Sequence, residues 1–436
     1  MRSVFTTWLL VFLFVSCKAQ KKTATSIPKY TNVKIFEQSV FQGLGPCEPS
    51  IFINPLNTNN IVAGSVIDFV HTSFDGGKSW NTKNLTSKFG IWGDPSVIAD
   101  FKGNFYYFHL SDPEGTNWQS TKVLDRMVVQ KSTDGGVSWS NGAGIGHNSP
   151  KQQDKEWAAV NTLNNEIYLT WTEFDKYGSK NSKHHSRILF SKSADEGKTW
   201  SQPKILSQVE GNAIDDNGTV EGAVPAVGLN GEIYCAWSVN DKIYFDKSMD
   251  GGISWLKEDV IATTQKGWGF EIEGFGRANG MPVTAVDLSK SKYKGTIYIN
   301  FADKRNGKTN SDVFLIKSAD NGKTWSKPTK VNQDNTETEQ FFTWMSVDPK
   351  TGFIYIVYYD RSNYKDTKTD VVLAVSKDGG KTFNNTTISD KPFTPNPKIF
   401  FGDYNNICAF DGVIRPIWTS YEKNKLSVWT CLISEK

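Results

Sequence analysis

Beyond its first 16 residues the chain of 436 has only six arginines, Arg126, Arg187, Arg277, Arg305, Arg361 and Arg415. A guanidinium fork binds planar or tetrahedral anions through paired, charge-assisted hydrogen bonds, so clustered arginines point to a carboxylate or sulfate ligand. The five histidines are His71, His109, His147, His184 and His185, and imidazole is the side chain that exchanges protons near neutral pH. An arginine that neutralises a carboxylate beside a group that takes a proton is the equipment for abstraction next to that carboxylate. Five acids, Glu48, Asp94, Asp154, Glu156 and Asp403, form a second candidate set, because calcium takes six to eight oxygens. Each set acts only if the fold brings its members to one place.

The elements that position them repeat. SFDGGKSW from Ser73 recurs as STDGGVSW from Ser132, SADEGKTW from Ser193, SMDGGISW from Ser248, SADNGKTW from Ser318 and SKDGGKTF from Ser376. A turn recurring at a long, regular interval marks a repeat architecture whose units bury their apolar faces against neighbours. Within the turn the Asp accepts backbone N–H groups, glycine supplies positive φ and the Trp packs beneath. Upstream of the boxes, NEIYLTW, GEIYCAW, GTIYINF and GFIYIVY are one β-branched, aromatic strand in four copies. Before these lie inner strands at PSIFINP (49), PSVIAD (95), WAAVNTL (157), VPAVGLN (224), PVTAVDL (282), WMSVDP (344) and YNNICAF (404). Seven inner strands against six boxes predict an all-β, seven-bladed propeller over 31–436, with NVKIFEQ near the N-terminus completing the last blade. A six-bladed propeller with an extra sheet is the alternative.

This register sorts residues by face. Arg126 and Arg187 stand eight residues before a box Asp, Arg277 lies in a loop leading into an inner strand, and Arg305 and Arg361 follow second strands. All five therefore belong to the face opposite the boxes, as do His109, His147, His184 and His185. Arg415, within a strand, and His71, near its box, do not. Asp303, Asp360, Glu173 and Asp94 are available to pair with these arginines. Trp118, Trp268 and Tyr364, in loops of the same face, are candidates for stacking on sugar rings.

The six boxes resemble the Asp-box of the sialidase superfamily of β-propellers. VEGAVPAVGLNGEIY and FGDYNNICAFDGVIRPIWTSYE resemble the sialidase segments that carry a base Glu and a nucleophilic Tyr. The resemblance implies that Glu221 polarises the Tyr404 hydroxyl, with Asp94 as an acid. It departs in two respects: no arginine stands between Cys17 and Ser73, where sialidases place the first of three carboxylate-binding arginines, and sialidases have six blades. Polysaccharide lyases that act on uronates include seven-bladed propellers using His, Tyr and Arg, which this chain resembles in blade number and residue types. Three functions follow: β-elimination across a terminal uronic acid of acidic, sulfated or unsulfated oligosaccharides, with His109, His147 and Tyr404 as proton carriers and the five arginines on the anion; sialidase-like hydrolysis through Tyr404 and Glu221; and glycan binding without catalysis. No cofactor is required, calcium being the one ion the acids would suit.

The remaining features bound the setting. MRSVFTTWLLVFLFVSC reads as an export signal over 1–16 with lipidation at Cys17, and its apolar run is shorter than the roughly 20 residues of a membrane span. Residues 17–30 read as a tether, which implies a monomer held by lipid at the outer membrane or in the periplasm of a Gram-negative-type bacterium. Cys47, Cys235, Cys408 and Cys431 have no metal-site spacing, and Cys235 and Cys408 sit in strands that favour buried thiols. The net charge of +3 argues against a nucleic-acid partner and leaves an anionic glycan.

Overall fold

The computed structural model describes Met1 and Tyr30 to Glu435. The segment expected to be an export signal, Cys17 and the expected tether up to residue 29 lie outside the described residues. Seven sheets surround an axis, and their innermost strands are Ser50–Ile53, Ser96–Ala99, Gln152–Val160, Glu221–Val227, Val283–Val286, Gln340–Val347 and Asn406–Phe410. The seven-bladed propeller is thus the fold. Second strands such as Ile167–Phe174, Ile297–Asp303 and Ile354–Asp360 are buried along their whole length. Both sides of each sheet pack on neighbouring blades, which is why these strands read as continuous apolar runs rather than alternating ones.

Closure falls to the N-terminal segment. Thr31–Ser39 pairs antiparallel with Lys425–Ser434, from Thr31 opposite Leu432 to Ser39 opposite Lys425, and becomes the outermost strand of the seventh blade. First and last strands share a sheet, which closes the ring at the seventh blade. The six boxes are alike: in the second, Ser132 Oγ donates to Asp134 Oδ1 (2.8 Å) and accepts from Gly136 N (2.8 Å). Asp134 Oδ1 accepts from Ser138 N at 2.9 Å, and Trp139 Nε1 donates to the Gly136 carbonyl at 3.1 Å. Trp80 and Trp200 make the same indole bond, whereas Trp255 and Trp325 do not and the sixth box ends in Phe383.

Two devices shape the face opposite the boxes. Inner strands are bulged where they begin: pairing shifts between Asp154 and Trp157, Glu221 and Val224, and Phe341 and Trp344. Lys155, Gly222 and Phe342 within these bulges have φ of +56°, +79° and +48°, and Glu48 and Asp94 take φ of +49° and +52° just before their strands. A bulge re-aims side chains that alternation would send to opposite faces, so consecutive residues reach the channel mouth. The second device is a short ladder in the loop leading into the fifth blade, Gly269–Phe270 against Ala278–Asn279, which holds Arg277 beside the axis.

Candidate functional site

A cavity of about 290 Å³ opens at the axis on the face opposite the boxes, lined by Glu48, Asp94, Asp154, Lys155, Tyr177, Arg277, Trp92 and Trp118 among others. Lys155 is its centre. The ammonium lies 2.7 Å from Asp403 Oδ2, 3.1 Å from Asp94 Oδ2 and 4.0 Å from Asp154 Oδ1, with the side chain almost wholly buried. Three of the five acids that calcium would suit, Asp94, Asp154 and Asp403, therefore close on a cation from the chain itself. Arg277 is the second cation: Nε donates to Asp403 Oδ1 (2.7 Å), Nη2 to Asp403 Oδ2, and Nη1 to Asp215 Oδ2 (2.8 Å). Three of its five N–H groups are engaged and 40% of the side-chain surface stays open. Tyr177 donates to Asp215 Oδ2 at 2.5 Å, and its ring stacks on Trp118 at 5.3 Å. Trp118 in turn meets the edge of Trp92 at 6.2 Å, so an aromatic wall faces the two cations.

Burial and unequal sharing of the cations divide the carboxyls. Burial would raise Asp403, but Arg277 and Lys155 grip it from both sides and hold it well below the usual carboxylate range. Asp154 is pushed up to about 8, mainly by burial, against which Lys155 at 4.0 Å is too weak. Burial, with the neighbouring carboxylates, raises Glu48, Glu156 and Glu221 well above their ordinary value. Both carboxyl oxygens of Glu156 and one of Glu221 have no hydrogen-bond partner among the described residues. Burial opposes the Lys155 charge, yet Asp154, Asp403, Asp94 and Glu48 keep it firmly protonated. Tyr177 is raised by burial and by Asp154 and Asp215, so its hydroxyl keeps its proton. The mouth thus holds two fixed cations, a carboxyl that titrates near neutrality and a phenol donor.

Of the residues singled out from sequence, Arg277 reaches this cavity and the other four arginines do not. Arg126 forms a fork with Asp125 at 2.8 Å on both arms, and Arg305 one with Asp303 at 2.8 and 2.6 Å. Arg187 is held by Glu173 and Asp175 at 3.1 and 2.9 Å, and Arg361 by Glu339 at 2.6 Å. Each has a carboxylate on or beside its own blade, and that local pairing outcompetes convergence on the axis. His147 is exposed, 3.3 Å from Asp125, and does not line the cavity. His109 is fully buried; Nδ1 contacts the Leu110 carbonyl at 2.7 Å, and burial lowers its pKa to about 4.

Tyr404 and Glu221 are not brought together. Tyr404 is buried in the channel against Trp157 and Trp344, with ring centroids 5.0 and 6.0 Å away, and donates to the Pro95 carbonyl at 3.3 Å. Burial raises its pKa well above the ordinary phenol value. Trp268 is buried against Gly222 rather than exposed, and the Tyr364 hydroxyl donates to Asp370, which leaves Trp118 as the open aromatic. The four later cysteines are buried free thiols. Sequence reasoning missed Lys155, Tyr177 and Asp215. The signal for Lys155 was its place in DKEW, a lone lysine among acids where the third inner strand begins.

A second cavity of about 270 Å³ runs along the axis between the inner strands and is apolar, lined by Ile51, Val97, Ala158, Ala226 and Met345. Trp157 and Trp344, 4.2 Å apart, stand where it approaches the polar mouth.

The NanB sialidase from Streptococcus pneumoniae superposes with a TM-score of 0.51 at 11% identity, covering 78% of this chain and 68% of its own. A PL25 ulvan lyase, solved bound to -[GlcA(1-4)Rha3S]-, superposes with a TM-score of 0.55 at 13% identity, covering 93% of this chain and 96% of its own. At these identities the likeness is one of fold. The search of curated proteins gave no match. The model of the BNR repeat-like domain matches residues 154–396. That span is more than half of the chain and holds four of the six box turns, and the protein therefore belongs to the BNR repeat-like domain family.

Proposed function

We propose that this protein is a carbohydrate-active enzyme that binds a terminal uronic acid of an acidic oligosaccharide in the axial cavity and cleaves by β-elimination. The observation that carries the reading is Arg277, fixed by Asp403 and Asp215 with two N–H groups unspent, facing a carboxyl that titrates near neutrality and a protonated phenol. The uronate carboxylate takes the two free N–H groups, and that contact strengthens as charge moves onto the carboxylate during proton removal. Ionised Asp154 takes the proton from the carbon next to the carboxylate. The C–H electron pair becomes the new C=C bond, the C–O bond on the adjacent carbon, which joins this reducing-end uronate to the preceding sugar, breaks, and Tyr177 delivers its proton to the leaving oxygen. Trp118 and Trp92 stack on the apolar face of the ring. A cavity of about 290 Å³ sits at the lower end of the usual ligand-pocket range of roughly 300–1,000 Å³, which suits one sugar unit at a chain end.

Elimination is favoured over hydrolysis because hydrolysis through Tyr404 needs a hydroxyl that the substrate can reach, and that hydroxyl is buried on the Pro95 carbonyl. The support from known structures is limited to fold: the ulvan lyase covers nearly the whole of both chains and was solved with a uronate-containing ligand. The test follows ultraviolet absorbance of an unsaturated uronate formed from uronic-acid oligosaccharides, with and without sulfate, beside dye release from a sialoside. Absorbance that rises, and is lost in Asp154→Asn and Tyr177→Phe, is the expected result. Dye release alone, dependent on Tyr404 and Glu221, would replace elimination by hydrolysis, and binding without turnover would leave a glycan-binding propeller.

A further inference from the structure

We propose that the box-bearing face lies on a lipid bilayer containing anionic headgroups, with the axial cavity turned outward. Three observations converge on this face. Its half formed by blades one to four exposes large apolar side chains at loop and turn tips: Leu56 and Ile253 are each 67% exposed, Leu163 65%, Phe74 57% and Met249 56%. The box chemistry does not ask for Phe74, Met249 or Ile253, since it needs only its Ser, Asp, Gly and Trp positions, and other boxes carry Ala or Lys there. The half formed by blades five to seven instead exposes Lys290, Lys292, Lys294, Lys323, Lys350 and Lys381, which with Lys377 outnumber its acids Asp320, Asp378, Asp411 and Glu435. An apolar patch beside a basic one is the composition of an interfacial membrane surface, in which tips enter the headgroup boundary and lysines meet anionic lipid.

The third observation names the occupant. Thr31 pairs with Leu432, beside the end of the hairpin where Ser434 meets Val413, so the N-terminal strand starts on the box side and runs toward the cavity side. The preceding segment, with the lipid site expected at Cys17, joins the domain from that side. Thirteen residue steps separate Cys17 from Tyr30, a reach of up to about 45 Å extended. A tether on one side brings that side to the bilayer, and a second, weaker membrane signal makes the attachment stable. The orientation holds whatever reaction the cavity performs.

Lysine footprinting of the full chain tests it. The protein is reconstituted in phosphatidylcholine vesicles with and without phosphatidylglycerol, and acetylation of each lysine is compared with that in detergent. Lys323, Lys350 and Lys381 are expected to be at least fivefold protected in phosphatidylglycerol vesicles, while Lys176, Lys365 and Lys398 on the cavity side label unchanged. The double variant Met249→Ser, Ile253→Ser should lose most of that protection yet keep its melting temperature. Equal labelling of both faces in vesicles, or protection of the cavity side, overturns the proposal. So does protection that grows with protein concentration in detergent alone, which would assign the face to a second copy of the chain.

Discussion

Replacing Lys155 by methionine keeps the length of the side chain and removes the charge at the centre of the carboxylate ring. Asp403 retains Arg277 as a bidentate partner, whereas Asp94 loses the ammonium at 3.1 Å and is left buried beside Glu48. Removing one member of a buried pair typically costs about 3–5 kcal/mol, because the survivor is desolvated without compensation. Since Asp403 is only half deprived, the lower end, about 3 kcal/mol, is expected. With an unfolding entropy of roughly 2.1 cal/mol/K per residue over about 400 residues, that loss lowers the melting temperature by about 3–4 °C at pH 7. Adding Asp94→Asn removes the orphaned charge and should return more than half of the loss. Calorimetry on the two variants reads both numbers. A fall under 1 °C, or a double variant no more stable than Lys155→Met alone, would show that the ammonium is not the counter-ion of this ring.

Three further outcomes follow from the same geometry. Asp154 acts as base only when ionised, so the elimination rate should climb as pH rises through about 8, and Asp154→Asn should lose both the climb and at least 100-fold in kcat; a rate flat from pH 6 to 9 would exclude it. Burial depresses His71 to about 3 and His109 to about 4, so the stability held by their neutral forms is complete above about pH 6.5 and is lost as pH falls toward those values. His109→Gln should lower the midpoint of acid unfolding followed by circular dichroism, and a curve parallel to that of the parent would contradict this. Ser132→Ala leaves the buried Gly136 N–H without its acceptor, at a cost of about 1–3 kcal/mol, and because the box lies on the far face, oligosaccharide affinity by calorimetry should not change.

The fold was legible because a propeller repeats its instructions. Ser-x-Asp-x-Gly turns fix where third strands end, and seven inner strands against six boxes require a strand from elsewhere, which Thr31–Ser39 supplies. Local chemistry and global closure agree at each step, so counting motifs was enough. Hidden from that count were the bulges: pairing that slips at Asp154, Glu221 and Phe341 depends on how each strand meets the axis, and box spacing carries no trace of it.

The site was legible by face and not by partner, and the arginines show why. Sequence register sends five of them to one face, yet charge pairing is decided at the scale of a few ångströms, where the neighbouring residue Asp125 captures Arg126 and Asp303, two residues away, captures Arg305. Arg277 escapes: Glu271 and Glu273 of the loop that carries it are not its partners, and it pairs instead with Asp403, 126 residues away, and Asp215, 62 residues away. The same logic explains Lys155: at φ +56° in a bulge, its stem is turned toward the axis, where burial would expel a lone ammonium unless several carboxylates received it. The sequence marks those carboxylates as a set that calcium would suit without requiring a cofactor, since oxygen ligands alone do not reveal which cation they enclose. A lysine at the mouth of an inner strand, flanked by acids, is the pattern that separates the two cases, and it makes the charge at the bottom of the cavity a property of the chain rather than of the medium.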